Sequence, residues 1–343
     1  MPNQIDNDSK IIAGDDRGFG HPAIVRCSDT LMFAGHVNDS DELEIHKSID
    51  NGSSWTLVKT ITDIAGARKF SLIAINSTSA GFIYSYFNTN YGYQIYITTN
   101  SGTDWTLKKT ENYTGTLFDA KYLLIYNSNI SRLYAVAMRG TQFVGRYTDN
   151  LGDSWTDWSG TGGVYSNLVD VDIDYLTNYI YVYYHYSGSP PTYVHYWKSF
   201  TSNGTYIAQS TVLGVTGNTY PDQNLAIDSL GNRYITYVKN VTATLRDYLM
   251  VRKNEGSETQ LFYVDLASPQ IIKGSVAINV DANDNIYVFY TKIADGKTYY
   301  KMYNGSTWGT ETELIGVANN RINCEKHVLE GSDKLHFAYY RQP

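Results

Sequence analysis

The chain has 343 residues, 42% of them apolar and 18% charged, with a formal net charge of −7. That acidic balance argues against a nucleic-acid partner, which calls for a basic surface, and no apolar run approaches the ~20 residues of a membrane-spanning helix. Two cysteines, Cys27 and Cys324, are too few for a disulfide framework. The 32 tyrosines, set among many Asn, Ser and Thr, suit strands and turns. An all-β chain is expected.

The first recognisable turn is Ser48-Ile49-Asp50-Asn51-Gly52-Ser53-Ser54-Trp55, between strand-like runs at Leu43–His46 and Thr56–Ile61. The Asp side chain is expected to bond backbone N–H groups of the turn, Gly52 to take a positive φ, and Trp55 to wedge between neighbouring sheets. The pattern returns around Asn100, Gly102 and Trp105, then around Asn150, Gly152 and Trp155. Gly204, Gly256 and Gly305 continue the beat, so the glycines are spaced 50, 50, 52, 52 and 49 residues apart. The fourth and fifth units lack the tryptophan, and the sixth keeps it as Trp308.

Each unit reads as four short strands, beginning with His21–Cys27, Thr30–Val37, Leu43–Ser48 and Trp55–Ile61. Six such units and a partial one predict a single β-propeller domain spanning 1–343. The expected blades are 15–62, 66–112, 115–160, 165–213, 220–267, 272–316, and 320–343 completed by 1–14. Seven blades is the main expectation, the last incomplete and closed by an N-terminal strand near Ser9–Ala13. Six blades and a loose hairpin is the alternative.

In that architecture the innermost strands start, and the second strands end, at the face opposite the glycine turns. Strand starts there offer Arg17, His21, Arg68, Lys69, Asp119, Lys121, Asp170, Asp222, Lys273, Arg321 and Glu325. Strand ends offer His36, Tyr86, Arg139, His185, Tyr186, Lys239, Lys292, Tyr340 and Arg341. Basic groups outnumber acids there although the chain is acidic, which suggests an anionic ligand over the channel. Tyrosine rings add flat apolar faces for sugars. The plain alternative is that these are solvated loop residues.

The densest stretch is Asp15-Asp16-Arg17-Gly18-Phe19-Gly20-His21-Pro22, followed by His36. His36 and His21, or a nearby Tyr, could serve as base and acid on a sugar, with Arg17 holding a carboxylate. Taken singly, His21 shapes a strand entry, His36 caps a loop, and the aspartates form a turn. No zinc spacing or EF-hand loop stands in this stretch, so neither a metal nor a cofactor is expected.

Ser-x-Asp-x-Gly-x-x-Trp resembles the Asp-box of the bacterial neuraminidase repeat, found in sialidases and other secreted propellers. The resemblance implies the propeller fold. A working sialidase is not expected, because Phe19-Gly20-His21-Pro22 stands where that family's first carboxylate-gripping arginine would be, and the other arginines have no counterpart. The stretch from Asp15 to Ser48 is more similar to ulvan-type polysaccharide lyases of the same repeat class, through Asp15, Asp16, Pro22, Ala23 and His36. Arg17 stands where that family's first His belongs, and its second-blade Arg has no match.

The leading functional expectation is a glycan-binding module for an anionic polysaccharide, of a phage or cell-surface adhesive type. A lyase or glycoside hydrolase acting on acidic polysaccharide is the alternative, and a protein-interaction scaffold the second. An extracellular, cell-surface or virion location is expected, although the N-terminal residues do not form a signal peptide. Neither nucleic acid nor membrane insertion is expected, and the oligomeric state is open.

Overall fold

The computed structural model describes residues 22–341, except 39, 41, 63–69, 88–90, 114–121, 140–141, 159–166, 188–191, 217–218, 221–224, 242–245, 255–257, 266–270, 293–294, 316–318 and 325–336. At several strand ends the description is of the backbone alone. All the regular structure among these residues is β-strand.

The first blade shows how the sequence becomes a sheet. Strands β1 (Ala23–Arg26), β2 (Met32–Val37), β3 (Leu43–Ser48) and β4 (Thr56–Ile61) pair antiparallel in chain order. Alternation sends Phe33, Leu43 and Ile45 to one side, where they pack with Leu72, Phe82 and Trp105 of the next sheet. Gly35 lies on that side too. A Cβ there would stand 2.8 Å from the ring of Phe70, so only glycine lets the second sheet come this close.

Five further four-stranded sheets follow, beginning at Phe70–Ala74, Tyr122–Asn127, Asn167–Asp174, Thr219–Tyr220 with Leu225–Ile227, and Ile271–Val280. The innermost strand of the fifth sheet is therefore in two pieces. Asn319–Cys324 and Phe337–Arg341 form a two-stranded seventh sheet. The innermost strands touch in succession, and Asn319–Cys324 touches both Ile271–Val280 and β1. The ring thus has seven positions, six of them filled by four-stranded sheets. The N-terminal strand expected to complete the seventh, Ser9–Ala13, lies outside the described residues. Arg321, expected at a strand start, instead stands within Asn319–Cys324, at a paired position opposite Tyr340.

The glycine turns are built from local hydrogen bonds. Gly52, Gly102 and Gly152 donate their N–H to the hydroxyls of Ser48, Thr98 and Thr148, at 2.8, 3.0 and 3.0 Å. Asp50, Asn100 and Asn150 accept the N–H of Ser54, Asp104 and Ser154. The glycines have φ of 84°, 79° and 90°. The residue before each, Asn51, Ser101 or Leu151, also takes a positive φ. A β-bulge recurs between the third and fourth strands, at Ile45/His46, Ile95/Tyr96, His195/Tyr196, Leu249/Met250 and Thr298/Tyr299.

Neighbouring blades are joined by close packing and by polar stitches. A Cβ on Gly102 would stand 2.5 Å from Phe33 of the preceding blade, and one on Gly204 would stand 2.1 Å from Trp158. Trp158 is buried against Phe200 and Tyr134, so blade three supplies the aromatic plug that the fourth glycine turn lacks. Trp105 packs against Phe33 and Phe82. Asp170 and Asp172 of blade four accept N–H groups of Leu225 and Ile227 in blade five, at 2.7 and 3.1 Å. Asp170, expected at a rim, is instead wholly buried, because its strand begins earlier, at Asn167.

Candidate functional site

The glycine turns share a face with the turns that join first and second strands. The N–H of Asn51 bonds the carbonyl of Thr30, that of Ser101 bonds Thr78, and that of Asn254 bonds Arg233. The opposite face therefore receives the last residues of every second strand. They include His36 on β2, Tyr86 on Ala80–Phe87, Arg139 on Arg132–Arg139, and His185 and Tyr186 on Tyr179–Ser187. Lys239 on Arg233–Val241, Lys292 on Ile286–Lys292 and Arg341 on Phe337–Arg341 continue the rim. Among the expected strand-start residues, Arg17, His21, Arg68, Lys69 and Lys121 lie outside the described residues. Lys273 and Arg321 fall at strand positions where the backbone alone is described.

At blade one this face carries a compact polar group that the sequence reading only half anticipated. His36 lies directly opposite Glu44 in the β2–β3 ladder, and His46 lies opposite Ala34. Period-two alternation puts all four on the sheet face turned away from blade two. Glu44 Oε2 stands 3.1 Å from His46 Nε2 and 3.7 Å from His36 Nε2. The two rings are 5.3 Å apart and tilted by 30°. Both histidines are buried, at 8% and 4% exposure. Burial pushes the His46 imidazole below its usual pKa, outweighing the hydrogen bond and charge of Glu44, which act the other way.

The second carboxylate oxygen of Glu44 is also held. Asn38 donates its side-chain N–H to Glu44 Oε1 at 2.8 Å and to Glu42 at 2.9 Å. Asn38 Oδ1 in turn accepts the N–H groups of Ser40 and Glu42, which shapes the β2–β3 loop. Glu44, His46 and Asn38 were missed as site residues. The available signal was Glu44-x-His46, two polar residues spaced for one face of a strand, but their meeting with His36 depends on hairpin register.

Two other rim positions have described side chains. Lys292 Nζ lies 2.5 Å from Glu311 Oε1 and 4.1 Å above the ring of Tyr299, while Tyr290 donates to the other oxygen of Glu311. This cation is already partly neutralised, and a ligand would share it with Glu311. Tyr86 donates to Asn112 and to the Glu111 carbonyl, and its hydroxyl pKa is raised by burial and by the charge of Glu111. Its ring is 6.3 Å from that of Tyr84. The rim therefore offers aromatic surface beside basic groups.

No protein-family profile matches the chain, and no curated protein does. Solved structures do resemble it in fold. A lectin from Burkholderia pseudomallei superposes with a TM-score of 0.62 at 11% identity, over 94% of this chain and 96% of the lectin. A Hadza microbial sialidase gives 0.53 at 11% identity, over 88% and 71%. An α-L-arabinofuranosidase from Fusarium graminearum gives 0.52 at 12% identity, over 88% and 94%. With its ring of four-stranded sheets, the chain is a β-propeller.

Proposed function

We propose that this propeller is a carbohydrate-recognition module whose ligand, an anionic glycan, lies across the face opposite the glycine turns. One observation carries the reading. Setting aside the buried His36, five of the seven second strands carry a basic or imidazole residue toward this end: Arg139, His185, Lys239, Lys292 and Arg341. On a chain of net charge −7, such a rim concentrates positive potential where a polyanion would rest. The similar folds include a lectin, a sialidase and an α-L-arabinofuranosidase, which is compatible with sugar recognition. The hydrogen bonds of the glycine turns favour membership of the Asp-box class, and the proposal includes an adhesive role at a cell surface or on a virion.

Binding rather than turnover is favoured at blade one. His36 is 8% exposed and directed at Glu44, so it is poorly placed to reach into a polymer. A glycan array, run beside assays for unsaturated uronates and new reducing ends, tests the proposal. Retention of acidic glycans without turnover is expected. Arg139→Ala and Lys239→Ala should each weaken binding about tenfold or more, the weight of one charge-assisted hydrogen bond of ~1.5–3 kcal/mol. Turnover abolished by His36→Ala would instead establish the lyase or hydrolase reading. Absence of both signals across acidic and neutral sugars would sink the carbohydrate proposal.

A further inference from the structure

We propose that His36, Glu44 and His46 form a binding site for a zinc-class divalent metal ion, on the face of blade one turned toward the closure of the ring. This goes beyond glycan recognition and does not depend on it.

The geometry is the first support. The three donor atoms, one from each residue, all lie within 4.8 Å of one another. Ligands about 2.0–2.1 Å from a tetrahedral ion stand about 3.3 Å apart. The Glu44–His46 and Glu44–His36 separations, 3.1 and 3.7 Å, bracket that value. The third separation, between the two imidazole nitrogens, is no more than 4.8 Å. Three protein donors leave a fourth coordination position for water or a ligand oxygen.

The donor set is the second. Two imidazole nitrogens and one carboxylate suit zinc and neighbouring transition metals, whereas calcium and magnesium prefer all-oxygen shells. Asn38 holds the free oxygen of Glu44 at 2.8 Å, the outer-shell contact that orients a ligating carboxylate.

Comparison between blades is the third. The bulges at Ile45/His46 and Ile95/Tyr96 align blade one with blade two. The equivalents of His36, Glu44 and His46 are then Tyr84, Gln94 and Tyr96, paired as Tyr84↔Gln94 and Phe82↔Tyr96. There Tyr84 and Tyr96 donate to Gln94 Oε1 at 2.5 and 3.4 Å. The architecture is thus satisfied by two phenols and an amide, none of them a good ligand for zinc. Blade one has metal donors at all three places. A purely structural hydrogen-bond cluster has no need of that coincidence.

The test uses the full chain, stripped with a chelator, dialysed and titrated with Zn2+ under calorimetry, with bound metal counted by elemental analysis. One zinc per chain is expected, with a rise in melting temperature. Co2+ in its place should give the intense visible absorption of a four-coordinate ion. Glu44→Gln and His46→Ala, shown to fold by circular dichroism, should each lose the bound metal and the cobalt spectrum. Where a variant does not fold, histidine side-chain 15N shifts of the wild type report ligation of His36 and His46 directly. No stoichiometric metal, binding that survives in folded variants, or unmoved shifts of these two histidines would each overturn the proposal.

Discussion

A single turn residue carries two separate demands in this protein. Gly102 has φ +79°, and a Cβ on it would also stand 2.5 Å from Phe33 of the neighbouring blade. Gly305 has φ +88° with nothing within 4 Å of such a Cβ. Gly305→Ala should therefore cost about 1–2 kcal/mol, the left-handed backbone penalty alone. Gly102→Ala adds overpacking of about 1–3 kcal/mol, a difference that denaturant unfolding of the two variants would measure. Equal losses would show that the interblade contact is soft. Asp50 offers a pH test in the same kind of turn. The Ser54 hydroxyl, the Ser54 N–H and the Ser48 hydroxyl hold its carboxyl at about 2, below the ordinary 3.8. A depressed folded pKa contributes stability above the unfolded value, and that contribution fades as pH falls through about 2. The turn should stay intact at pH 3. Carbon-13 titration of the Asp50 carboxyl should give a midpoint near 2, and one near 3.8 would show that these bonds do not form. Asn100 and Asn150, which make the equivalent bonds, carry no such acid sensitivity.

Between elements, buried carboxylates do work that strand pairing within a blade cannot. Asp170 is fully buried and accepts the N–H of Val171 within its blade and of Leu225 in the next. Removing it leaves buried donors without this acceptor, each costing about 1–3 kcal/mol. Asp170→Ala should therefore destabilise the protein by about 2–5 kcal/mol, while Asp170→Asn, which keeps one acceptor oxygen, should cost less. Hydrogen exchange at Leu225 provides the local readout, with faster exchange expected in Asp170→Ala. Unchanged protection there would mean that the seam between blades four and five is held by packing alone, chiefly Tyr183, Trp197, Leu225 and Ile235. The glycine turns and strand pairs were legible because their partners lie within a few residues. The stitches were not, because Asp170 and Leu225 are separated by 55 residues. Trp158 escaped for a similar reason: it serves the glycine turn of the following unit, not that of its own.

For the molecule as a whole, the test is electrostatic. If a basic rim on an acidic propeller holds an anionic glycan, affinity should fall several-fold as salt is raised from about 0.05 to 0.5 M, since the screening length shrinks across that range. A neutral sugar should show no comparable change. Salt-independent affinity for the acidic glycan, measured by calorimetry, would point to stacking on the rim tyrosines. The contrast between fold and site has one physical origin. Turn chemistry and strand alternation are local, and six repetitions of them determine a ring of four-stranded sheets from sequence alone. Which side chains meet across a register or a blade seam is set by pairs far apart in the chain. Only the folded ring decided that His36 would face Glu44 and His46, that Asp170 would be interior, and that Lys292 would share its charge with Glu311.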